Sequence, residues 1–492
     1  MRCIATFDIG TTAVKAVLVG YDGQLLASLS RDIPTLFDGD RKEQEPRVWW
    51  QAFCDLSREM REQCPTDTVT GIVMSGQMQD VIPVDERLQP VCPAILYSDG
   101  RGEAEAQVLR DALGEEKIQD ITGNHCDGSL SLPKIMWLKK HRPDWYEKTK
   151  CFLISSKDYV IAQLTGVCAG DYTACSTACA MDIRSKAWNR ELLAAAGVAE
   201  EKMPQLFASH EQVGTVSQQT SMASGYLPGT PVYAGVGDAG ATTLASGIMR
   251  EGQYNINLGT SGWVATVSEN ALSSEGGIFN LAAMPKGKVI NVVPFLNAGN
   301  VHRWVCRLFS ETEEPDYGRV QTLLERSVPG SDGVFALPYL VGERFPVLDA
   351  AVRGSFMGIT PETRKEDLAR AMLEGVAYSI RQGIETIGEK PTDISVIGGG
   401  GRVGPWCQML SDVLGMRLTA YSNADTLPAR AIAAAALIGE GVAPDYREFV
   451  EGLQTDRQAK NYLPDPETHA FYDRQYRRYT GLYGALKTWY RQ

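Results

Sequence analysis

A repeat shared by the start and the middle of the 492-residue chain limits its fold more than any other feature. The segment FDIGTTAVKAVLV, residues 7–19, is matched by YNINLGTSGWVATV, residues 254–267. The aligned pairs are Asp8 with Asn257, Gly10 with Gly259, Thr11 with Thr260 and Thr12 with Ser261. Self-similarity of this kind indicates a duplicated unit. The sequence therefore predicts two halves that are built alike.

Each copy of the repeat predicts a β-hairpin with a polar turn. In the first copy, apolar runs at residues 3–7 and 13–19 flank the turn at residues 10–12. This order differs from a dinucleotide-binding fold, where the glycine loop opens a helix, and the chain has no GxxxxGK[ST] loop. Two such turns facing each other would offer N–H groups and hydroxyls to one anion. That is the geometry of a phosphate clamp between two domains.

Composition and charge predict a globular protein that does not bind nucleic acid or membranes. Apolar residues make up 44% and charged residues 22% of the chain, which is typical of globular proteins. The net charge of −12 disfavours a nucleic-acid partner. The longest apolar run, residues 431–438, is too short to span a bilayer, and Asp8 interrupts any signal-peptide core. Eleven cysteines without a CxxC pair predict reduced thiols and a cytoplasmic location.

Strand and helix patterns alternate through both halves, which predicts an α/β layered architecture. The expected strands are residues 69–74, 94–97 and 394–397, and the expected helices are residues 133–140 and 366–387. The polar break GIMREGQ predicts a domain boundary, which gives domains at residues 1–247 and 248–492. Tyrosines at helical spacing near the C-terminus predict an amphipathic helix that docks on its own domain. The alternative for this helix is the interface of a homodimer.

A run of four glycines, Gly398 to Gly401, lies between a predicted strand and a predicted helix. Glycines let a ligand approach the backbone, and the N–H groups at the start of the helix favour phosphate. The sequence therefore predicts a nucleotide at this turn. The alternative is a turn that only needs a positive φ, for which one or two glycines would suffice.

Asp238 lies in YAGVGDAGATTLASG, residues 233–247, among small residues and at the start of a predicted helix. A helix N-cap, worth about 1 kcal/mol, is one interpretation. The other is a general base with room for a hydroxyl group beside it, which would accelerate phosphoryl transfer by roughly 10²–10⁴. SGQMQD (75–80) and ILYSDGRG (95–102) follow strands and could bind a polyol, although each alone is typical of a turn or a surface ion pair.

Eight motifs occur in the order seen in the FGGY family of carbohydrate kinases. They are FDIGTTAVKAVLV, SGQMQD, ILYSDGR, GVGDAG, NLGTSGWV, LPYLVGERFP, RGSFMGI and IGGGGRVGPWCQMLSDVLG. The chain resembles most closely the xylulokinase branch, and GERFPVLDAAVRGSF is similar to gluconate kinases. The resemblance implies an α/β fold of two actin-like (ribonuclease H-like) domains with a cleft between them. It also implies ATP on the second domain and sugar mostly on the first.

The resemblance implies roles for individual residues. Asp238 would be the general base, and Asp8 and Asp238 would lie beside Mg²⁺, with Asp8 acting through water. The residues implied around ATP are Gly10, Thr11, Thr12, Lys15, Gly259, Thr260, Ser261, Gly399, Gly400, Gly401 and Arg402. Those implied around the sugar are Met78, Gln79, Tyr97, Asp238 and Ala239.

Three positions depart from the family pattern and bear on the choice of sugar. Gln79 stands where xylulokinases have histidine, Tyr97 where they have tryptophan, and Ala239 where the family often has a polar amide. The expected reaction is transfer from ATP to the terminal hydroxyl of a small open-chain sugar, such as D-xylulose, giving D-xylulose 5-phosphate and ADP. The alternatives are a kinase for gluconate or another aldonate or polyol, and a non-catalytic actin-like nucleotide-binding module.

Overall fold

Two sheets with the same strand order carry the two halves of the chain. The structure, a computed structural model, describes residues 1–38, 41–64, 68–273, 277–349, 351–421, 426–455 and 459–490.

The strands of the first half are β1 (Arg2–Ile9), β2 (Ala13–Gly20), β3 (Leu25–Asp32), β4 (Leu36–Asp38), β5 (Arg41–Gln44), β6 (Thr68–Gly76), β7 (Ile82–Val84), β8 (Ala94–Ile95), β9 (Cys151–Leu153), β10 (Ala169–Asp171), β11 (Met181–Asp182), β12 (Ala187–Trp188), β13 (Gln205–Phe207), β14 (Gln212–Thr215), β15 (Pro231–Tyr233) and β16 (Val236–Gly237). Its α-helices are α1 (Pro46–Gln63), α2 (Glu103–Leu113), α3 (Glu115–Thr122), α4 (Ser131–His141), α5 (Pro143–Lys148), α6 (Ser156–Thr165), α7 (Tyr172–Cys175), α8 (Arg190–Ala196), α9 (Gln218–Ser224) and α10 (Asp238–Ser246).

The strands of the second half are β17 (Gln253–Leu258), β18 (Gly262–Ser268), β19 (Phe279–Ala282), β20 (Val289–Phe295), β21 (Phe335–Leu337), β22 (Ser355–Met357), β23 (Asp393–Ile397), β24 (Leu418–Tyr421) and β25 (Ala459–Tyr462). Its α-helices are α11 (Gly299–Leu308), α12 (Tyr317–Arg326), α13 (Lys365–Ile387), α14 (Gly404–Leu414), α15 (Leu427–Gly439), α16 (Tyr446–Thr455), α17 (Pro466–Tyr479) and α18 (Leu482–Tyr490).

The strand order of each sheet confirms the duplication that the repeat predicts. The first sheet runs β14-β15-β6-β1-β2-β3 and the second runs β19-β20-β18-β17-β23-β24-β25. In the first, β1, β2 and β3 pair antiparallel and β6 then joins β1 in parallel. In the second, β17, β18 and β20 pair antiparallel and β23 joins β17 in parallel. This α/β arrangement, repeated in both halves, is the actin-like (ribonuclease H-like) fold that was predicted.

Strand β1 is buried on both faces, because alternate side chains point to opposite sides of a sheet. Phe7 packs on one side against α1, with its ring centroid 4.4 Å from that of Phe53. Ile4 packs on the other side in a cluster formed largely by α15. Burial on both faces explains why the first strand is an almost continuous apolar run.

Helices α10 and α15 pack against each other at the junction of the two sheets. Helix α15 comes from the second half but packs on β1 and β6 of the first sheet, and α10 touches β23 of the second sheet. Residues 431–437 of α15 are each at most 1% exposed. Their alanines allow close approach to Ala241 and Ala245 of α10. The longest apolar run of the sequence is therefore core, and no helix in the described ranges is long and apolar enough to cross a membrane.

The C-terminal tyrosines occupy two helices where the sequence predicts one. Helix α17 ends at Tyr479 and α18 begins at Leu482, so Thr480 and Gly481 interrupt the pattern. Tyr472, Tyr476 and Tyr479 are buried in the core of the second half, as the docking interpretation predicts.

Candidate active site

Asp8 lies at the end of β1, where three strands bring polar groups together. It is opposite Lys15 in the β1–β2 register and beside Ser75 in the β1–β6 register. The hydroxyl of Ser75 donates to Asp8 Oδ1 at 2.9 Å. Burial raises the pKa of Asp8, while the hydrogen bond from Ser75 and the charge of Lys15 lower it. The predicted metal-binding carboxylate is thus held by two partners that favour its charged form.

The turn at Thr11 is held by two buried glutamines that sequence reasoning missed. Thr11 Oγ1 donates to Gln77 Oε1 at 2.6 Å, and Gln77 Nε2 donates to Gln44 Oε1 at 3.0 Å. Gln44 Nε2 in turn donates to the Thr11 carbonyl at 2.7 Å. These bonds tie the first turn to β5 and to the end of β6. The predicted phosphate-binding turn is therefore fixed in place.

Asp238 is the first residue of α10, and Gly237 occupies the N-cap position. The Oδ1 atom of Asp238 accepts a hydrogen bond from the N–H of Ala239 at 2.7 Å, so the carboxylate does not make the usual N-cap bond. Burial and then the negative charge of Asp8 raise the pKa of Asp238 to about 7, against the lowering effect of the Ala239 N–H. The two carboxylates therefore lie within electrostatic reach of each other. A carboxylate with this pKa is suited to take up a proton near neutral pH.

A fully buried ion-pair cluster supports the backbone just before Asp238. Lys157 Nζ lies 2.5 Å from Asp158 Oδ1 and 2.9 Å from Asp171 Oδ2. The other oxygen of Asp171 accepts hydrogen bonds from the N–H groups of Thr173 at 2.9 Å and Gly237 at 3.3 Å. The start of α10 is thereby anchored to the core of the first half.

The small residues around Asp238 serve packing, which differs from the predicted role of leaving room for a ligand. A Cβ at Gly235 would lie 1.9 Å from the Met74 carbonyl oxygen, and one at Gly237 would lie 2.0 Å from Met78 Sδ. Because backbone and side chains already fill these positions, only glycine fits. The same contact places Met78, a predicted sugar-site residue, directly against the residue before Asp238.

The predicted sugar residues Gln79 and Tyr97 lie on either side of a short antiparallel pairing, Gln79 two residues before Val81 and Tyr97 two residues after Ile95. Residues Val81 and Ile95 form an antiparallel bridge, and the N–H of Tyr97 donates to Asp80 Oδ1 at 3.1 Å. Burial raises the pKa of the Tyr97 hydroxyl, a hydrogen bond with Thr11 lowers it, and the charge of Asp238 raises it further. Tyr97 is thus close to both the first turn and Asp238.

Asp99 and Arg101, considered as polyol-binding residues, pair with each other instead. Arg101 donates to the two carboxylate oxygens of Asp99 at 2.9 and 2.6 Å, and it also pairs with Glu43 at 2.8 Å. The interpretation as an ion pair is the one that the structure supports.

A separate cavity of about 670 Å³ is lined by most of the predicted ATP residues that belong to the second half of the chain. Its lining includes Gly259, Thr260, Gly399, Gly400 and Arg402. Of the other two, Ser261 is exposed and Gly401 is buried, and neither lines the cavity. The turn at residues 10–12 and Lys15 lie beside Asp8, outside this cavity.

Helix α11 completes this cavity, and little in the sequence indicates its contribution. The N–H groups of Gly299 and Asn300 donate to the carbonyls of Gly259 and Thr260 at 2.8 and 2.9 Å. One turn further, the His302 ring lies 5.4 Å from that of Tyr317, and burial lowers the pKa of His302 to about 4. A neutral ring pair therefore forms an apolar wall that suits a nucleobase. The available signal was the polar segment LNAGN directly after an apolar strand.

Comparison with known proteins decides the family. The chain matches the N-terminal domain of the FGGY family of carbohydrate kinases over residues 3–245 and the C-terminal domain of that family over residues 254–439. The chain belongs to the FGGY family of carbohydrate kinases. It is accordingly an ATP-dependent carbohydrate kinase.

Two curated relatives and one solved structure show how much of this FGGY kinase is shared. Xylulose kinase of Escherichia coli (strain K12) is 29% identical over 490 residues, covering 97% of this chain and 98% of the relative. Gluconokinase of Bacillus subtilis (strain 168) is 31% identical over 421 residues, 82% of each protein. The crystal structure of xylulose kinase from Rhodospirillum rubrum is similar with a TM-score of 0.91 and 27% identity, covering 100% of both chains.

The cofactors of this FGGY kinase are ATP and Mg²⁺, and its residues fit both. The cavity is lined by glycines, which let a phosphate approach the backbone, and by Tyr317 and His302. Asp8 and Asp238 would offer the hard carboxylate oxygens that Mg²⁺ takes in ones and twos alongside phosphate and water. Within the described residues no cluster of three or more metal-ligating side chains occurs, so phosphate and water would complete the coordination.

The four glycines of the run have different tasks. Gly398 has φ +88° and a Cβ there would lie 2.7 Å from the carbonyl carbon of Leu258, while a Cβ at Gly400 would lie 2.6 Å from the Leu258 Cβ. The fold itself requires these two glycines. A Cβ at Gly399 meets no atom within 4 Å, although Gly399 lines the nucleotide cavity. Its small size is therefore available for a ligand.

We predict that Gly399→Ala and Gly400→Ala separate nucleotide binding from stability. Gly399→Ala should leave the thermal midpoint unchanged and raise the KM for ATP roughly tenfold, because the added methyl group occupies ligand space. Gly400→Ala should lower the thermal midpoint, since overpacking costs about 1–3 kcal/mol. Thermal unfolding and ATP titrations of ADP release check both variants. An unchanged KM for ATP in Gly399→Ala would show that the nucleotide does not approach this residue.

Proposed function

We propose that this kinase transfers the γ-phosphoryl group of ATP to the terminal hydroxyl of a small open-chain sugar, a ketopentose such as D-xylulose. The observation that carries the proposal is the position of Asp238: its carboxylate is buried at the start of α10, next to the residue that Met78 contacts and within electrostatic reach of Asp8 and Tyr97, and burial and the charge of Asp8 raise its pKa to about 7. The relative named xylulose kinase, which matches nearly the whole chain, supports a ketopentose. The products would be D-xylulose 5-phosphate and ADP.

The proposed mechanism uses the residues of the first half for the acceptor and those of both turns for the phosphates. Asp238 takes the proton of the attacking hydroxyl, so that the new O–P bond forms as the bond to ADP breaks. Lys15 and the backbone N–H groups of the Thr11 turn compensate the charge of the transferred group, and Thr260 meets the phosphates from the second half. Asp8 and Asp238 would hold Mg²⁺, which would supply further charge compensation when bound.

Replacing Asp238 tests the proposed base. Asp238→Asn keeps the shape and the hydrogen bond from the Ala239 N–H but cannot accept a proton. We expect kcat to fall by about 10²–10⁴, with the KM values for sugar and ATP changed only slightly. Coupled ADP-release assays measure both constants.

Asp111→Asn is the matched control, because Asp111 is an exposed carboxylate on α2 that bonds only Gln107 within the described residues. It should retain full activity. Retained turnover in Asp238→Asn would exclude Asp238 as the base. Tight ATP binding with no ADP release by the unmodified protein towards any pentulose, hexulose, polyol or aldonate would favour the non-catalytic nucleotide-binding module instead.

A second candidate substrate class, the aldonates, is supported by Arg344. This residue lines a cleft of about 1210 Å³ whose walls include Gly100 and His125 of the first half. The buried Glu343 carboxylate fixes its backbone, accepting from the N–H groups of Arg344 and Leu296 at 2.8 and 2.7 Å. No carboxylate of the described residues pairs with the Arg344 guanidinium, and its charge reaches the Tyr97 hydroxyl. A sugar carboxylate would satisfy it.

Arg344→Gln distinguishes the two substrate classes. If the substrate is an aldonate, the substitution should lower kcat/KM for gluconate by roughly tenfold or more and change kcat/KM for D-xylulose much less. Arg326→Gln, at an exposed position on α12, is the control and should change neither. An unmodified protein that phosphorylates D-xylulose and ignores gluconate would reject the aldonate proposal.

A cytoplasmic location and a homodimer complete the proposal. In the part of the chain that the structure describes, none of the eleven cysteines forms a disulfide and most are buried, which supports a reducing compartment. Trp489 of α18, whose ring lies 5.2 Å from that of Tyr490, is 67% exposed, which supports this helix as a contact between copies.

A further inference from the structure

Lys134 is a completely buried lysine on α4 whose ammonium group binds the backbone beneath the sugar site. Its Nζ donates to the carbonyl of Gln79 and to the carbonyl of Leu96, both at 2.8 Å. One of these carbonyls belongs to a proposed sugar-binding residue, and the other immediately precedes Tyr97. A single side chain thus joins the two segments that would hold the sugar.

Asp80 makes the complementary contacts to the same two segments. It is completely buried, and its Oδ1 accepts the N–H of Tyr97 at 3.1 Å. Its own carbonyl accepts the hydroxyl of Ser131, the first residue of α4, at 3.0 Å. The loop carrying Gln79 is therefore attached to α4 at both Ser131 and Lys134.

The backbone of Gln79 needs such a restraint. Gln79 has φ +62°, in the left-handed region that residues other than glycine disfavour. A strained conformation persists only where the surroundings fix it, and strained residues concentrate at functional sites. Lys134 donates directly to the backbone carbonyl of Gln79. It thereby stabilises the backbone conformation that determines the direction of the Gln79 side chain.

Burying the ammonium group of a lysine costs free energy, so we expect Lys134 to have a specific role in this position. Burial lowers the pKa of Lys134 to about 7, and the neighbouring charge of Asp80 counteracts this shift. A buried ammonium group is tolerated when it is paired and fully hydrogen-bonded. Here the carbonyls of Gln79 and Leu96 accept two hydrogen bonds from the ammonium group, and the charge of Asp80 lies within electrostatic reach of it.

We propose that Lys134 and Asp80 are positioning residues that hold Gln79 and Tyr97 in the geometry required to bind the sugar. The inference rests on the proposed sugar site and adds two residues that do not touch the substrate. Loss of either partner should weaken sugar binding while leaving the nucleotide cavity of the second half intact.

Lys134→Met tests the proposal against Lys139→Met. Lys139 is on the same helix and donates to the Gly197 carbonyl, away from Gln79 and Tyr97. We expect Lys134→Met to raise the KM for the sugar about tenfold or more and to leave the KM for ATP within about twofold, because misplaced binding groups cost affinity steeply. Lys139→Met should change neither KM. Hydrogen exchange at residues 77–80 and 96–98 should accelerate only in Lys134→Met.

The pair Asp80→Asn and Asp80→Ala decides the matter if Lys134→Met does not fold. Asp80→Asn retains an oxygen that accepts the Tyr97 N–H, whereas Asp80→Ala removes it. The alanine variant should raise the KM for the sugar several-fold more than the asparagine variant. Parallel rises in the KM values for sugar and ATP, or equal sugar KM values in all variants, would overturn the positioning role. An unmodified protein that releases no ADP with any of the sugars would overturn the proposed function itself, so the two failures are distinguishable.

Discussion

The packing of α10 against α15 sets the position of the reacting groups. The alanines of α15 allow it to lie against both α10 and the first sheet, while α10 reaches β23 of the second. Asp238 is the first residue of α10, so the helix pair that joins the halves also places the proposed base. Asp171 holds the preceding residue through a hydrogen bond. A shift in this packing would therefore move Asp238 relative to the sugar-binding segments.

Electrostatics assign different tasks to the two carboxylates of the site. Asp8 has Ser75 and Lys15 as partners that favour its charge, which suits a metal ligand. Asp238 has one hydrogen bond from an N–H group, is desolvated and faces the charge of Asp8, and its pKa rises to about 7. Burial raises the pKa of both acids, but only Asp8 has a hydroxyl and a lysine beside it that favour the charged form, so Asp238 is the better placed of the two to take up a proton.

Local patterns in the sequence were sufficient for the duplication and the α/β class, whereas the resemblance to the FGGY family supplied the actin-like fold and most of the predicted site residues. Hairpin signals are short-range, so the repeat around Gly10 and Gly259 predicted the antiparallel core of both sheets. Long-range contacts were not predictable: the Gln44–Gln77 bonds and the two carbonyl contacts of Lys134 have no local signature. The role of the four-glycine turn was predictable only in part. A long-range contact with Leu258 requires Gly400, whereas Gly399 lines the cavity of the second half. The spacing of the C-terminal tyrosines likewise did not predict the break at Thr480 between α17 and α18.

The central claim is that both glycine turns hold one triphosphate while Asp238 receives the hydroxyl proton. A crystal structure with the sugar and a non-hydrolysable ATP analogue tests it most directly. The account predicts the γ-phosphate between the turn at residues 10–12 and Thr260, with one sugar hydroxyl within about 3 Å of the Asp238 carboxylate. A triphosphate that points away from the first turn, or a sugar whose hydroxyls all lie beyond the reach of Asp238, would contradict it.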